Sequence, residues 1–379
     1  MSEACRHDRL RSGLRRRAAA ILTLGAIGVT SIPAGAQTPS PRSGTASGID
    51  GRVAEIFAAY RVAGAPGASV VVVRGDTIVL ARAFGLADVE NKVPVTTATA
   101  FRSASVSKQF TAAAILALVE DGTLRLDDRL GDVLPGAPSY AADVRVRHLL
   151  AHTSGIPDYE AILGNGDGPQ VKDRDVLTLI GQARELYFAP GSTWRYSNSG
   201  YALLALIVER LSGERFAAYL RRRIFDRAAM PTAVAHEDGV DTVTHRAYGH
   251  SDVRGQWRRT DQSRTSAVLG DGGIYASAEE LAKWSAALDR HAILSAATFE
   301  QATTPATLTS GTATQYGFGW FLDTHRGHRR QRHEGDTIGF RTAIQRYPDE
   351  QLTVIVLVNR GVAPIDALSD AVADLFLPP

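Results

Sequence analysis

The sequence predicts an α+β fold: a helix and a β-hairpin come first, helices fill the middle, and antiparallel strands with a final helix close the chain. The first helix is read over 49–61, where Ile49, Val53, Ile56, Phe57 and Tyr60 recur at helical spacing. Two β-rich runs, 68–73 and 77–84, are divided by Gly75-Asp76, a hairpin signal. An Ala-rich apolar helix over 106–120 ends at Gly122. Further helices are expected at 145–151, 174–185, 200–212 and 214–226. Strands follow at 316–323, 329–334, 339–347 and 352–358, and a last helix runs over 364–376. The first hairpin is expected to join the late strands in one sheet, bringing early and late segments of the chain together.

The 379 residues suffice for a sizeable core, and 44% hydrophobic with 22% charged residues is ordinary globular composition. Six of the 42 basic residues and two of the 40 acidic ones lie in 1–36, so 37–379 carries a net charge of −2. That balance gives no footing for a nucleic-acid or membrane-surface partner.

Residues 1–36 read as an export signal. An Arg-rich stretch ends at Arg17, an apolar run spans 18–30, and Ala34-Gly35-Ala36 offers a small-residue cleavage site before Gln37. The localisation expected is exported, periplasmic or secreted. The competing reading is an uncleaved anchor, the one route to a membrane association, but the run is short for a span and is followed by Pro33. A Pro/Ser/Thr/Gly stretch over 37–48 reads as a flexible linker, and 49–379 as one catalytic unit. The single cysteine, Cys5, falls inside the signal, which excludes cysteine-protease chemistry and Cys-ligated metal from the remainder.

Ser105-Val106-Ser107-Lys108 puts a hydroxyl and an amine at i and i+3 near a helix start, on one face, where the amine reaches the hydroxyl. Serine is a poor nucleophile without such a base, and a neutral Lys can serve as one. The bland reading is a Ser helix cap with a solvated Lys. With four lysines and Ser at ~7% of residues, the spacing arises by chance about once in four. Tyr196-Ser197-Asn198 follows Pro190-Gly191 and precedes an apolar helix, so it lies on a turn. There a Tyr hydroxyl can relay a proton and an Asn amide can orient Lys108 or substrate; the alternative is a helix-entry turn with a packed Tyr. His333-Glu334-Gly335 ends a strand that can hold substrate by main-chain hydrogen bonds and present a backbone N–H as half of an oxyanion hole. His325-Arg326-Gly327 fits the same string but sits in an expected turn; for His333 the alternative is a surface histidine in a basic hairpin.

Other chemistries find less support. No H-E-x-x-H and no G-x-S-x-G occurs, and His325, His328 and His333 lie among arginines without ligand spacing. His152-Thr153-Ser154-Gly155 reads as a structural turn, because Ser154 has no base at helical spacing.

Taken in order, S-x-x-K, Y-x-N and H-x-G resemble the superfamily of serine β-lactamases (class C type), DD-peptidases, D-aminopeptidases and family VIII esterases. The flanks resemble it too: 101–128, 148–156, 190–213, 270–284, 316–320 and 333–340, so that nearly all of 49–376 is covered. The resemblance implies a helical subdomain packed against an antiparallel sheet flanked by helices, with the site between them. It implies Ser105 as the acylated nucleophile, Lys108 as base, and Tyr196 as the proton shuttle to the leaving group. Asn198, His333, Gly335 and Asp336 would hold substrate, with the N–H groups of Ser105 and Asp336 as oxyanion donors. No cofactor and no metal are implied, and the partner is a small ester, amide or peptide. The sequence departs from the β-lactamase pattern at His333, where Lys is usual, so an esterase or D-amino-acid peptidase or amidase is expected ahead of a β-lactamase or DD-carboxypeptidase. A non-catalytic β-lactam sensor or a scaffold is the remaining class, and the joint presence of Ser105, Lys108, Tyr196 and Asn198 counts against it.

Overall fold

Alternating valines organise the centre of the molecule. The computed structural model describes residues 46–379 except Asn165, Asp167 and Asp238. The expected signal over 1–36, and the linker as far as residue 45, lie outside the described residues; helix α1 (Ala46–Ile56) begins within the last three positions of that linker. Strand β1 (Ala68–Arg74) has Val70 and Val72 on one face and Val71 and Val73 on the other, and all four are buried. A strand buried on both faces needs cover on both. Val70 and Val72 share one apolar cluster with Val53 of α1, Phe57 just after it, and Leu368 and Val372 near the C-terminus, while Val71 and Val73 belong to the larger cluster of the helical part.

The remaining strands of this sheet are β2 (Thr77–Phe84), β3 (Phe321–His325), β4 (His328–Thr337), β5 (Phe340–Tyr347) and β6 (Leu352–Val358). The order is β3-β4-β5-β6-β1-β2, antiparallel throughout. The opening hairpin therefore does join the late strands, through β1 against β6.

The helical part is built on α2 (Lys108–Glu120), buried from Lys108 to Leu118, with Phe110 packed edge-on to Phe225 and against Trp284. Helix α3 (Asn198–Ser212) lies against it, and α4 (Ala278–Asp289) packs on β1 and β6. The closing helix α5 (Ile365–Ala373) covers β5 and β6. Among the described residues no helix is long and apolar enough to cross a membrane.

Two expectations need correction. The strand expected over 316–323 occupies Phe321–His325 instead, because the preceding glycines serve close approach rather than pairing. A Cβ on Gly317 would meet the Ala302 carbonyl oxygen at 2.1 Å, and Gly319 has a left-handed φ of +82° against the Lys108 carbonyl. The helix expected over 106–120 also begins later, at Lys108, because Val106 and Ser107 belong with Ser105 to a 3₁₀ turn, Ala104–Ser107, that leads into it.

Candidate active site

A short strand, Ala100–Arg102, pairs with Ile274–Ser277 and delivers the chain to the 3₁₀ turn carrying Ser105. With three residues per turn, a 3₁₀ helix eclipses i and i+3, which sets Lys108 directly beside Ser105. The residue before the nucleophile, Ala104, has φ +47°, a left-handed conformation uncommon without glycine. Strand β4 passes close above it. A Cβ on Gly335 would stand 2.4 Å from the Ser103 carbonyl oxygen and 3.0 Å from the Ala104 Cβ, so glycine is what allows the strand to approach the nucleophile turn. Thr342 on β5 ties the two together by donating to the Ser103 carbonyl over 2.8 Å.

Lys108 is fully buried. Its ammonium donates to Ser105 Oγ (3.0 Å), Asn198 Oδ1 (2.8 Å) and the Asp271 carbonyl (2.9 Å). It also sits 4.9 Å from the centre of the Tyr196 ring and 5.5 Å from that of Tyr201. The Tyr196 phenol is buried and has no hydrogen-bond partner in good geometry among the described residues. Burial raises its pKa, and Lys108 and Ser105 pull the other way. Asn198 opens α3, where its backbone N–H donates to Asp158 Oδ2 over 2.6 Å. Ser105, Tyr196, Asn198, His333, Gly335 and Asp336 line one cleft of about 870 Å³. Every site residue expected from the sequence thus meets here, with Lys108 beneath the cleft floor.

His333 is buried, not a surface residue. Its Nδ1 faces the Glu334 carbonyl oxygen at 2.7 Å and so carries the proton, leaving Nε2 to accept from the Tyr316 hydroxyl at 3.1 Å. Burial and the nearby Lys108 push its pKa down to about 3. The ring is therefore neutral at pH 7. Glu334 points to the opposite face of the strand, where Arg332 pairs with it. The three histidines of this region diverge: His325 meets Asp374 (2.8 Å), His328 meets Glu350 (2.5 Å), and His333 turns inward.

The sequence left several contributors unread. Asp271 holds Lys108 through its carbonyl, and its buried carboxylate accepts from the Tyr159 hydroxyl at 2.8 Å. Asp173 in turn accepts from the N–H groups of Leu269 and Gly270, both at 2.9 Å, fixing the single helical turn, Leu269–Gly272, that carries Asp271. Burial pushes both carboxyls up to about 7. Glu160 stands exposed on the cleft rim. Desolvation and Asp158 raise its pKa, opposed by Lys108 and Asn198. The Gly-Asp-Gly-Gly run at 270–273 was the one local hint of a tightly approached backbone.

Comparison with known proteins agrees with this geometry. The β-lactamase family model matches residues 53–376. The chain is 33% identical to penicillin-binding protein 4* of Bacillus subtilis over 307 residues, covering 77% of this chain and 68% of that protein. It is 32% identical to the D-aminopeptidase of Brucella canis over 323 residues, 83% of this chain, and spans 60% of that protein's length. An octameric penicillin-binding protein homologue from Pyrococcus abyssi superposes with a TM-score of 0.76 at 26% identity, covering 87% of this chain and 77% of its own. A β-lactamase/transpeptidase-like α+β fold, a family match over most of the chain, and a serine, a lysine and a tyrosine gathered at one cleft make this protein a member of the β-lactamase family and an enzyme of its serine-hydrolase type.

Proposed function

We propose that the protein hydrolyses small amides or peptides bearing a free cationic amine, through an acyl-enzyme on Ser105, in preference to anionic β-lactams. The observation that carries this is the neutral, fully engaged ring of His333, which brings no positive charge to the cleft. The other cleft groups lean negative. Glu160 and Asp366 line it, while Asp336 and Glu334 are offset by their ion pairs with Arg341 and Arg332, leaving the carboxylates of Glu160 and Asp366 in excess. Such a cleft repels a substrate carboxylate and attracts an ammonium. The curated relatives named D-aminopeptidase support an amino-acid substrate of D configuration. The segment over 1–36 supports action outside the cytoplasm.

In the reaction, neutral Lys108 takes the Ser105 hydroxyl proton as Oγ attacks the carbonyl carbon. The carbonyl oxygen becomes an oxyanion between the N–H groups of Ser105 and Asp336. Tyr196 relays the proton to the departing nitrogen, the C–N bond breaks, and water then attacks the ester by the reverse relay.

The test compares D-alanine p-nitroanilide, its N-acetyl derivative and a chromogenic cephalosporin. The free amine is expected to give a kcat/KM at least about tenfold above the acetylated compound, a loss of some 1.4 kcal/mol in transition-state binding. Faster turnover of the acetylated compound or of the cephalosporin would overturn the substrate assignment.

A further inference from the structure

His152 belongs to a stretch read from the sequence as a structural turn, and Ser154 behaves that way: it is buried, and its hydroxyl oxygen accepts from the Ile156 N–H at 3.2 Å. His152 does more. Its φ of +57° is a left-handed conformation that a non-glycine residue adopts only under strain. That conformation serves three contacts with one neighbouring segment, residues 195–197. The His152 carbonyl accepts from the Arg195 N–H at 2.9 Å, and its Nδ1 accepts from the Ser197 N–H at 3.1 Å. These are the residues on either side of Tyr196. Between them, the His152 ring lies against the Tyr196 ring, with centroids 4.2 Å apart at 33°.

The ring is suited to that place. With Nδ1 accepting, the proton sits on Nε2. Burial, Lys108 and His333 all hold its pKa well below the usual histidine range. A neutral ring adds apolar backing to Tyr196 without adding a charge beside Lys108. The same ring also meets Tyr316 at 4.7 Å, the residue that donates to His333. The Tyr196 side of the cleft and the His333 side are thus braced against one imidazole.

We propose that His152 is the positioning residue of Tyr196, holding the phenol at the distance from Ser105 and Lys108 that proton relay requires. This rests on the acyl-enzyme reading, in which Tyr196 carries the proton to the leaving group. Its effect on proton relay runs through Tyr196.

A double-mutant cycle separates this from a general packing role. His152→Ala and His152→Asn are made in the wild-type and in the Tyr196→Phe full-length proteins, and kcat, KM and Tm are measured with the p-nitroanilide. Asn keeps an acceptor for the Ser197 N–H and tolerates left-handed φ, so it carries the test if the Ala variant does not fold. With Tyr196 present, His152→Ala is expected to lower kcat about 10–100-fold with KM within about threefold, part of the 10²–10⁴ that a positioned proton relay supplies. In the Tyr196→Phe protein the same change is expected to cost less than about threefold, and Asn to recover part of the loss. Equal losses in both backgrounds would overturn the proposal, as would a Tyr196→Phe protein with wild-type kcat. If the wild-type protein showed no fluorophosphonate adduct on Ser105, the acyl-enzyme reading itself would fall, a failure that the cycle alone does not produce.

Discussion

The Lys108 ammonium donates to the hydroxyl oxygen of Ser105 over 3.0 Å, the opposite sense to the hydrogen bond a general base must make. Its other two protons go to Asn198 and to the Asp271 carbonyl, neither of which can give one back. A neutral amine in the same position keeps those two bonds and turns its lone pair to the serine, so the surroundings fix where the lone pair points once the proton has left. A bonding pattern of two fixed acceptors and one reversible partner suits a base better than a structural cation, which would be given three acceptors that never change.

That pattern sets the first prediction. Lys108→Ala is expected to slow acylation of Ser105 by about 10²–10⁴, the range for loss of a positioned base. Lys108→Arg should not rescue it, since guanidinium does not deprotonate in proteins. Rates of fluorophosphonate adduct formation by intact mass measure both, with Ser105→Ala as the variant that forms no adduct. An arginine variant close to wild type would mean that charge, not base strength, is what position 108 supplies.

A second prediction concerns the approach of β4 to the nucleophile turn. In Gly335→Ala the new methyl would stand 2.2 Å from Thr342 Oγ1 and 2.4 Å from the Ser103 carbonyl, and neither is a flexible chain end. The strand must move away, at a cost of about 1–3 kcal/mol in stability. Because Asp336 moves with it, kcat should fall by more than the thermal midpoint suggests, about 10²-fold or beyond for a displaced oxyanion donor. Thermal unfolding and steady-state kinetics on one preparation check the two together. An active variant of normal stability would show that the strand has slack the geometry denies.

Much of this was legible in the sequence, and the dividing line is physical. Ser105 with Lys108, and Tyr196 with Asn198, are neighbours along the chain, so a spacing rule places each pair without knowledge of the fold. The opening hairpin and the late strands announced their pairing by β-rich runs, and β1 does lie against β6. Asp271, Tyr159, Asp158 and His152 meet the site only through space, from turns whose local chemistry is that of any turn. His333 was readable as a residue but not as a buried one, because its partner Tyr316 arrives on a glycine-bent segment that resembles a strand in its apolar pattern. Local periodicity cannot register a tertiary contact that bends the backbone.

The last prediction is a pH dependence with a sign. Burial pushes the carboxyls of Asp271 and Asp173 up to about 7, while in the unfolded chain they titrate near ~3.9. Between those values the folded protein keeps protons that the unfolded chain has lost, so their contribution to stability is full below about pH 4 and declines as pH rises to 7. His333 runs the other way. Its folded pKa is about 3 and its unfolded value ~6.5, so its contribution is full above 6.5 and is lost as pH falls toward 3. Comparing Asp271→Asn with wild type cancels the histidine and isolates one carboxyl. Asn keeps an acceptor for the Tyr159 hydroxyl, and the ionisable groups that bear on the site remain Lys108, Tyr159, Glu160 and Asp173. Relative to wild type, the variant should gain roughly 2 kcal/mol on going from pH 5 to pH 8, read from urea unfolding at several pH values. A difference that stayed constant over that range would mean that the Asp271 carboxyl is already ionised at pH 5, and that Lys108 then holds a buried ion partner rather than a neutral neighbour.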